Sequence, residues 1–284
     1  MADGIAGRRV GKVADDVPAT PVRFLPSENI APDKPLFIFL PGMDGAGTLF
    51  RPQMSRLAPW FDIRCVSIAR TDKSGWVRLA QKVSELIRGE LAKLSAKVGR
   101  RRRVYLCGES FGGCLAMHVL THSPDLFERI VLVNPASSFR RLPWMHFGSA
   151  ITRRLPSSAY QFSSLGLVPL LIESHRVSQR EREEMTAAMG AVPARTASWR
   201  MKLLSEFEAE RLPLERMTHP VLLIAGANDR LLPSKREVKE LLRRFPNAQM
   251  KVLPYSGHAC LLERETNLQQ ILRENDFLPS ARSL

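Results

Sequence analysis

Nowhere does the sequence hold an apolar run approaching the roughly 20 residues that a membrane-spanning helix requires, so a helical integral membrane protein is not expected. The first 21 residues, MADGIAGRRVGKVADDVPATP, lack the apolar centre of a secretory signal, and their acidic residues do not suit an intact organelle transit peptide. Cysteine is scarce. Cys65, Cys107, Cys114 and Cys260 show no CxxC spacing and sit inside apolar segments. They read as buried thiols in an intracellular, reducing compartment. Acid is also in short supply, with 28 Asp and Glu against 42 Lys and Arg, for a formal charge of +14. No zinc-finger, homeodomain or RNA-recognition signature accompanies that charge, so nucleic acid is not an expected partner. The run Arg100 to Arg103 reads as a solvated loop, and the basic surface would favour peripheral contact with an anionic membrane.

The chain does hold six short apolar runs, at 35–40, 61–68, 103–107, 129–134, 220–226 and 250–254. Each reads as a buried strand. Helical periodicity occupies 76–98, 111–122 and a stretch near 260–273, and the capping-box spacing of Ser234 and Glu237 predicts another helix over 235–244. Strands alternating with helices imply an α/β fold: a mostly parallel central sheet with helices on both faces. Residues 137–216 break the rhythm and read as an inserted helical cap. The expected organisation is an irregular leader over 1–34, a core made of 35–136 and 217–284, and that cap between its halves.

The run VYLC leads into Gly108-Glu109-Ser110-Phe111-Gly112-Gly113, and an apolar helix follows. Gly-x-Ser-x-Gly between strand and helix is the pattern of a nucleophile elbow, a strained turn that lifts a serine hydroxyl above the sheet. Serine needs a base. His258, in PYSGHACLLE, follows the last strand, where a loop can carry its imidazole back to Ser110. His118 and His122 have a spacing that zinc sites also use, but Val119 stands where the metalloprotease motif requires Glu. They read as helix-face residues, and no metal or cofactor is implied. Asp229, after the fifth run in LLIAGANDRLLPS, has the position and the chain order Ser–Asp–His of a triad. Two N–H groups are candidates for stabilising an oxyanion, that of Phe111 and that of Met43 in LPGMDGAG, where Gly42 and Gly45 allow close approach of the backbone. Asp44 reads as a turn residue. Trp144, Met145, Phe147 and Leu170, in the apolar parts of the cap, are candidate walls of a lipophilic substrate pocket alongside Gly42.

The order LPG loop, GxSxG, Asp after a strand, then Gly-His resembles that of the α/β-hydrolase superfamily over most of residues 35–275. More narrowly, FLPGMDGAGTLF, VYLCGESFGGCLA, LVNPASSF and SGHACLLE are similar to the hydrolase half of plant and cyanobacterial phytyl ester synthases, the esterase/lipase/thioesterase-like proteins. The resemblance implies Ser110, Asp229 and His258 in the roles above, fatty-acyl transfer to phytol or diacylglycerol, and a plastid setting. One departure is plain. Many plant members carry an acyltransferase-type His-x4-Asp, and no histidine of this chain has Asp five residues later. The reading is a serine-dependent acyl-ester enzyme acting on a lipophilic substrate, either esterase or acyltransferase. The alternative is a non-catalytic ligand-binding protein on the same fold.

Overall fold

The computed structural model describes residues 21–27, 30–98, 102–141 and 168–279. Seven strands form one sheet: β1 (Val22–Phe24), β2 (Leu36–Leu40), β3 (Asp62–Ile68), β4 (Val104–Glu109), β5 (Arg129–Val133), β6 (Val221–Gly226) and β7 (Ala248–Leu253), in the order β1-β3-β2-β4-β5-β6-β7. Every pairing from β3 through β7 is parallel. The central strands are apolar on both faces because both are covered, and side chains alternate between them. Leu36, Ile38, Leu106, Leu132 and Leu223 face one layer, which contains α2 (Trp76–Val98) and α3 (Phe111–His122). Phe37, Phe39, Cys107, Val131 and Ile224 face the other, which contains α1 (Arg51–Leu57). All four cysteines are buried and unbridged. Among the described residues, no helix is long and apolar enough to cross a membrane.

The expected irregular leader contains a strand. Residues Val22 to Phe24 pair antiparallel with the edge of β3, Val22 opposite Ile68 and Phe24 opposite Val66. The four residues between Pro21 and Pro26 carry too little pattern to be read as a strand alone; the open edge of β3 supplies the pairing.

The expected capping box of Ser234 and Glu237 does not form. The helix α7 spans Ser234–Leu242 and has no side-chain cap. The Ser234 hydroxyl donates instead to Asp229, and Glu237 accepts from the Ser137 hydroxyl. Tertiary partners took both side chains. The box that does form is Ser178 with Glu181, at the start of α5 (Gln179–Gly190).

Segment 137–216 divides by packing. Ser137, Ser138 and Phe139 are buried in a 3-10 turn. Leu203, Leu204, Phe207 and Leu214 belong to the same apolar cluster as the sheet. The helix α6 (Ala194–Ser205) is tied down by the indole N–H of Trp76 to Leu203 O (3.1 Å) and that of Trp199 to Ser74 O (3.2 Å). Between these parts, Ile172, Val177 and Met185 form a small cluster with Leu262 of the core.

Candidate active site

The turn between β4 and α3 is tight in the literal sense. A Cβ on Gly108 would lie 2.3 Å from Gly112 O, and one on Gly112 would lie 2.1 Å from Leu40 O. Only glycine lets these backbones meet. Ser110 itself takes φ 54° and ψ −116°, a conformation that side-chain-bearing residues rarely adopt and that costs about 1–3 kcal/mol. Its amide donates to Val133 O at 3.0 Å, so the strain is held by the sheet.

His258 Nε2 lies 2.8 Å from Ser110 Oγ, and His258 Nδ1 lies 2.7 Å from Asp229 Oδ2. A carboxylate can only accept, so Nδ1 carries the proton and Nε2 is left to accept from the serine hydroxyl. Asp229 is steadied by N–H donors from Leu231 and Leu232, both at 2.9 Å, and by the Ser234 hydroxyl. Burial opposes its charge, but His258, Ser234 and the backbone donors outweigh burial and hold the carboxyl below its ordinary range. Burial likewise opposes an imidazolium at His258, yet Asp229 raises its pKa above the usual value, with a smaller push from Glu109. The neighbouring Arg230 pairs with Glu173 rather than with Asp229 (3.0 Å).

The loop after β2 lies beside the serine. A Cβ on Gly42 would be 3.9 Å from Ser110 Cβ. Gly45 N–H donates to Gly42 O (3.0 Å), and Asp44 accepts from Ala46 N–H (2.7 Å), which makes Asp44 a turn residue. The hydrogen bonds closing this turn do not use the Met43 N–H. Phe111 opens α3, where an amide has no intrahelical partner.

Above Ser110 opens a cavity of about 150 Å³, walled mainly by Leu49, Leu171, Met185, Met189, Met201 and Leu232. The wall residue of the short helix α4 (Val168–Leu171) is Leu171, not Leu170. Adjacent helical positions point about 100° apart, so one of the two faces the cavity. Trp144, Met145 and Phe147 lie outside the described residues. Among the described residues, the remaining histidines stay apart from the site. His118 stacks on Trp76 (5.4 Å) and meets Phe207 edge-on, and burial lowers its pKa to about 4. Among the described residues, no group of His, Cys, Asp and Glu could hold a metal ion.

Three neighbours of the site escaped sequence reasoning. Buried Asn134 (φ 40°) donates to Gly257 O (3.1 Å) and His258 O (2.6 Å) and accepts from Gly226 N–H (2.8 Å), fastening the histidine loop to the sheet end. Glu109 lines the cavity, one of its oxygens has no hydrogen-bond partner, and burial pushes its carboxyl up to about 7. Arg200 reaches the Met43 loop from α6. Asn before Pro135 at a strand end was a usable signal for the first; the other two had none.

A family model described as serine aminopeptidase, S33, matches residues 72–265. Phytyl ester synthase 1, chloroplastic, of Arabidopsis thaliana is 29% identical over an alignment of 263 residues that covers 85% of this chain and 37% of that protein. The chain thus spans little more than a third of that relative. A putative carbamate hydrolase, RutD, of Stutzerimonas stutzeri is 28% identical over 251 residues, 86% of this chain and 92% of that protein. Among solved structures, an esterase from Exiguobacterium antarcticum superposes with a TM-score of 0.69 at 14% identity, covering 89% of this chain and 94% of that one. The fold is that of the α/β hydrolases.

Proposed function

The chain belongs to the serine aminopeptidase S33 family of α/β hydrolases, and from that premise we propose that it cleaves or transfers acyl groups of lipophilic esters through an acyl-Ser110 intermediate. The observation that carries the reading is the hydrogen-bonded line Ser110–His258–Asp229 on the floor of an apolar cavity. His258 Nε2 takes the proton as Ser110 Oγ attacks the ester carbonyl carbon. The resulting oxyanion is met by the N–H groups of Met43 and Phe111. Collapse breaks the bond to the alcohol oxygen, which leaves with the proton from His258. Water or a second alcohol then adds to the acyl carbon, giving up its proton to His258, and the bond to Ser110 Oγ breaks as the serine takes that proton back from His258 Nε2.

The walls favour hydrocarbon over a small polar carbamate. Leu, Met and Val side chains lose nothing to an alkyl chain and would leave a polar substrate's hydrogen-bonding groups unmatched. The likeness to the phytyl ester synthase supports a long isoprenoid alcohol as acceptor. A second reading has one observation in its favour: Asp44 and Glu109 both face the cavity, as would suit the ammonium of an aminoacyl substrate.

A panel of p-nitrophenyl esters of rising chain length, with and without added phytol, separates these readings when run beside aminoacyl arylamides and with Ser110→Ala as control. Ester turnover that vanishes in Ser110→Ala, with a Ser110-bound acyl group seen by mass spectrometry, is the expected result. Turnover of arylamides alone would replace it with the aminopeptidase reading. Ligand-dependent thermal stabilisation without Ser110-dependent turnover would leave a binding protein.

A further inference from the structure

A guanidinium carries five N–H donors and a permanent charge, so its full burial is costly unless acceptors meet it. Arg200, on α6, is 2% exposed and is the largest fully buried side chain among the described residues. Its Nη1 donates to Met43 O at 2.6 Å and its Nη2 to Ala69 O at 3.1 Å. The Asp44 carboxylate is close enough to feel its charge. Gly45, at φ +68°, completes the socket, since a Cβ there would fall 2.7 Å from Nη1.

The placement of these bonds matters more than their number. Met43 is flanked by two peptide planes. The first, between Gly42 and Met43, bears the Met43 N–H and is held by Gly45 N–H at Gly42 O (3.0 Å). The second, between Met43 and Asp44, is held by Arg200 at Met43 O. A turn of this kind held on one side can still pivot at its Cα; held on both, it cannot. An oxyanion donor is effective to the extent that it is aimed before the charge develops.

We propose that Arg200 is a positioning residue: from the inserted segment it clamps the Met43 carbonyl and so aims the Met43 N–H at the developing oxyanion. The inference rests on the acyl-serine reading above. It also means that the donor is aimed only while α6 is seated on the loop, so docking of the insertion and transition-state stabilisation are one event.

The test uses the full chain and compares Arg200→Lys and Arg200→Gln with wild type. Ester turnover is expressed per Ser110 titrated with a fluorophosphonate, which removes unfolded protein from the comparison. The expected result is a kcat about 100-fold lower in Arg200→Gln, the loss seen when one oxyanion donor is removed, with KM within about twofold. Affinity for a trifluoromethyl ketone, whose hydrate-like adduct places an oxyanion at the same point, should fall with kcat. Arg200→Lys, which keeps the charge and one donor at Met43 O, should recover part of both. If Arg200→Gln lowers only the melting temperature, with kcat per titrated site and ketone affinity unchanged, Arg200 is a packing anchor and the proposal is overturned. A change confined to KM overturns it as well, in favour of substrate contact. If Arg200→Gln does not fold, Arg200→Lys decides alone through the same two readouts, kcat per site and ketone affinity falling together or not at all. Absence of Ser110-dependent labelling in wild type would instead sink the acyl-serine reading itself, an outcome distinct from an indifferent Arg200.

Discussion

Around Ser110 the chain is held by backbone packed on backbone, whereas the segment between β5 and β6 is joined to the same core by side chains, the apolar ones of α6 and a set of guanidinium groups. At the elbow, Gly108 and Gly112 leave no space for even one added carbon. Over the insertion, Arg176 pairs with buried Glu263 (2.9 Å), Arg230 of the core pairs with Glu173, and Arg200 caps two loop carbonyls. Steric repulsion rises steeply over tenths of an ångström, so the first kind of joint has one arrangement. Ion pairs and charge-assisted hydrogen bonds can part and re-form in the presence of water, so the second kind is reversible. A nucleophile that must keep a strained backbone needs the first. A cover over a substrate cavity is served by the second.

The difference can be broken or sharpened by substitution. Gly112→Ala should have the largest effect, a loss of about 4 kcal/mol or more, read as absence of soluble folded protein or a collapsed denaturation midpoint. Survival of that variant with normal stability would mean that the elbow backbone is not closed as described. Next comes Arg176→Met, which strands the buried Glu263 carboxylate. It should cost about 3 kcal/mol, expressed locally as faster proteolysis and amide exchange over 168–193 and the 257–266 loop. Arg230→Met should cost less than about 1 kcal/mol, because Arg230 is 59% exposed and water screens its pair with Glu173. Equal losses from the two arginine variants would remove burial as the quantity that ranks these joints.

The smallest effect concerns pH. His258 must be neutral to accept the Ser110 proton, and its pKa is raised above 6.5. Esterase kcat/KM should therefore fall as pH drops through that raised value. Glu109, pushed by burial to about 7, adds a nearby negative charge once ionised and favours the imidazolium. Glu109→Gln removes that charge and should move the acid limb down by about half a pH unit. An acid limb left unmoved by Glu109→Gln would show that His258 does not feel Glu109.

The parts that were legible in advance have local causes. Six of the seven strands announce themselves as short apolar runs, and the exception, Val22–Phe24, is defined by its neighbour's free edge. The glycines around Ser110 mark the elbow because backbone closure admits no other residue. Ser234 and Glu237 show the opposite case: their spacing suits a cap, yet Asp229 and Ser137 offer better partners once the chain has folded. Leu170 and Leu171 differ by one position, and only the docking of their helix chooses between them.

The sequence by itself therefore determined the sheet, the elbow and the chain order of Ser110, Asp229 and His258, since each depends on apolar period, backbone freedom or a neighbour along the chain. Only the tertiary structure decided where the charged side chains go. Arg200 lies 157 positions from the carbonyl it holds, and nothing in the residues around either one distinguishes this arginine from the many others that face solvent. Its burial is settled when α6 lands on the loop after β2, because a guanidinium leaves water only where fixed acceptors already wait for it.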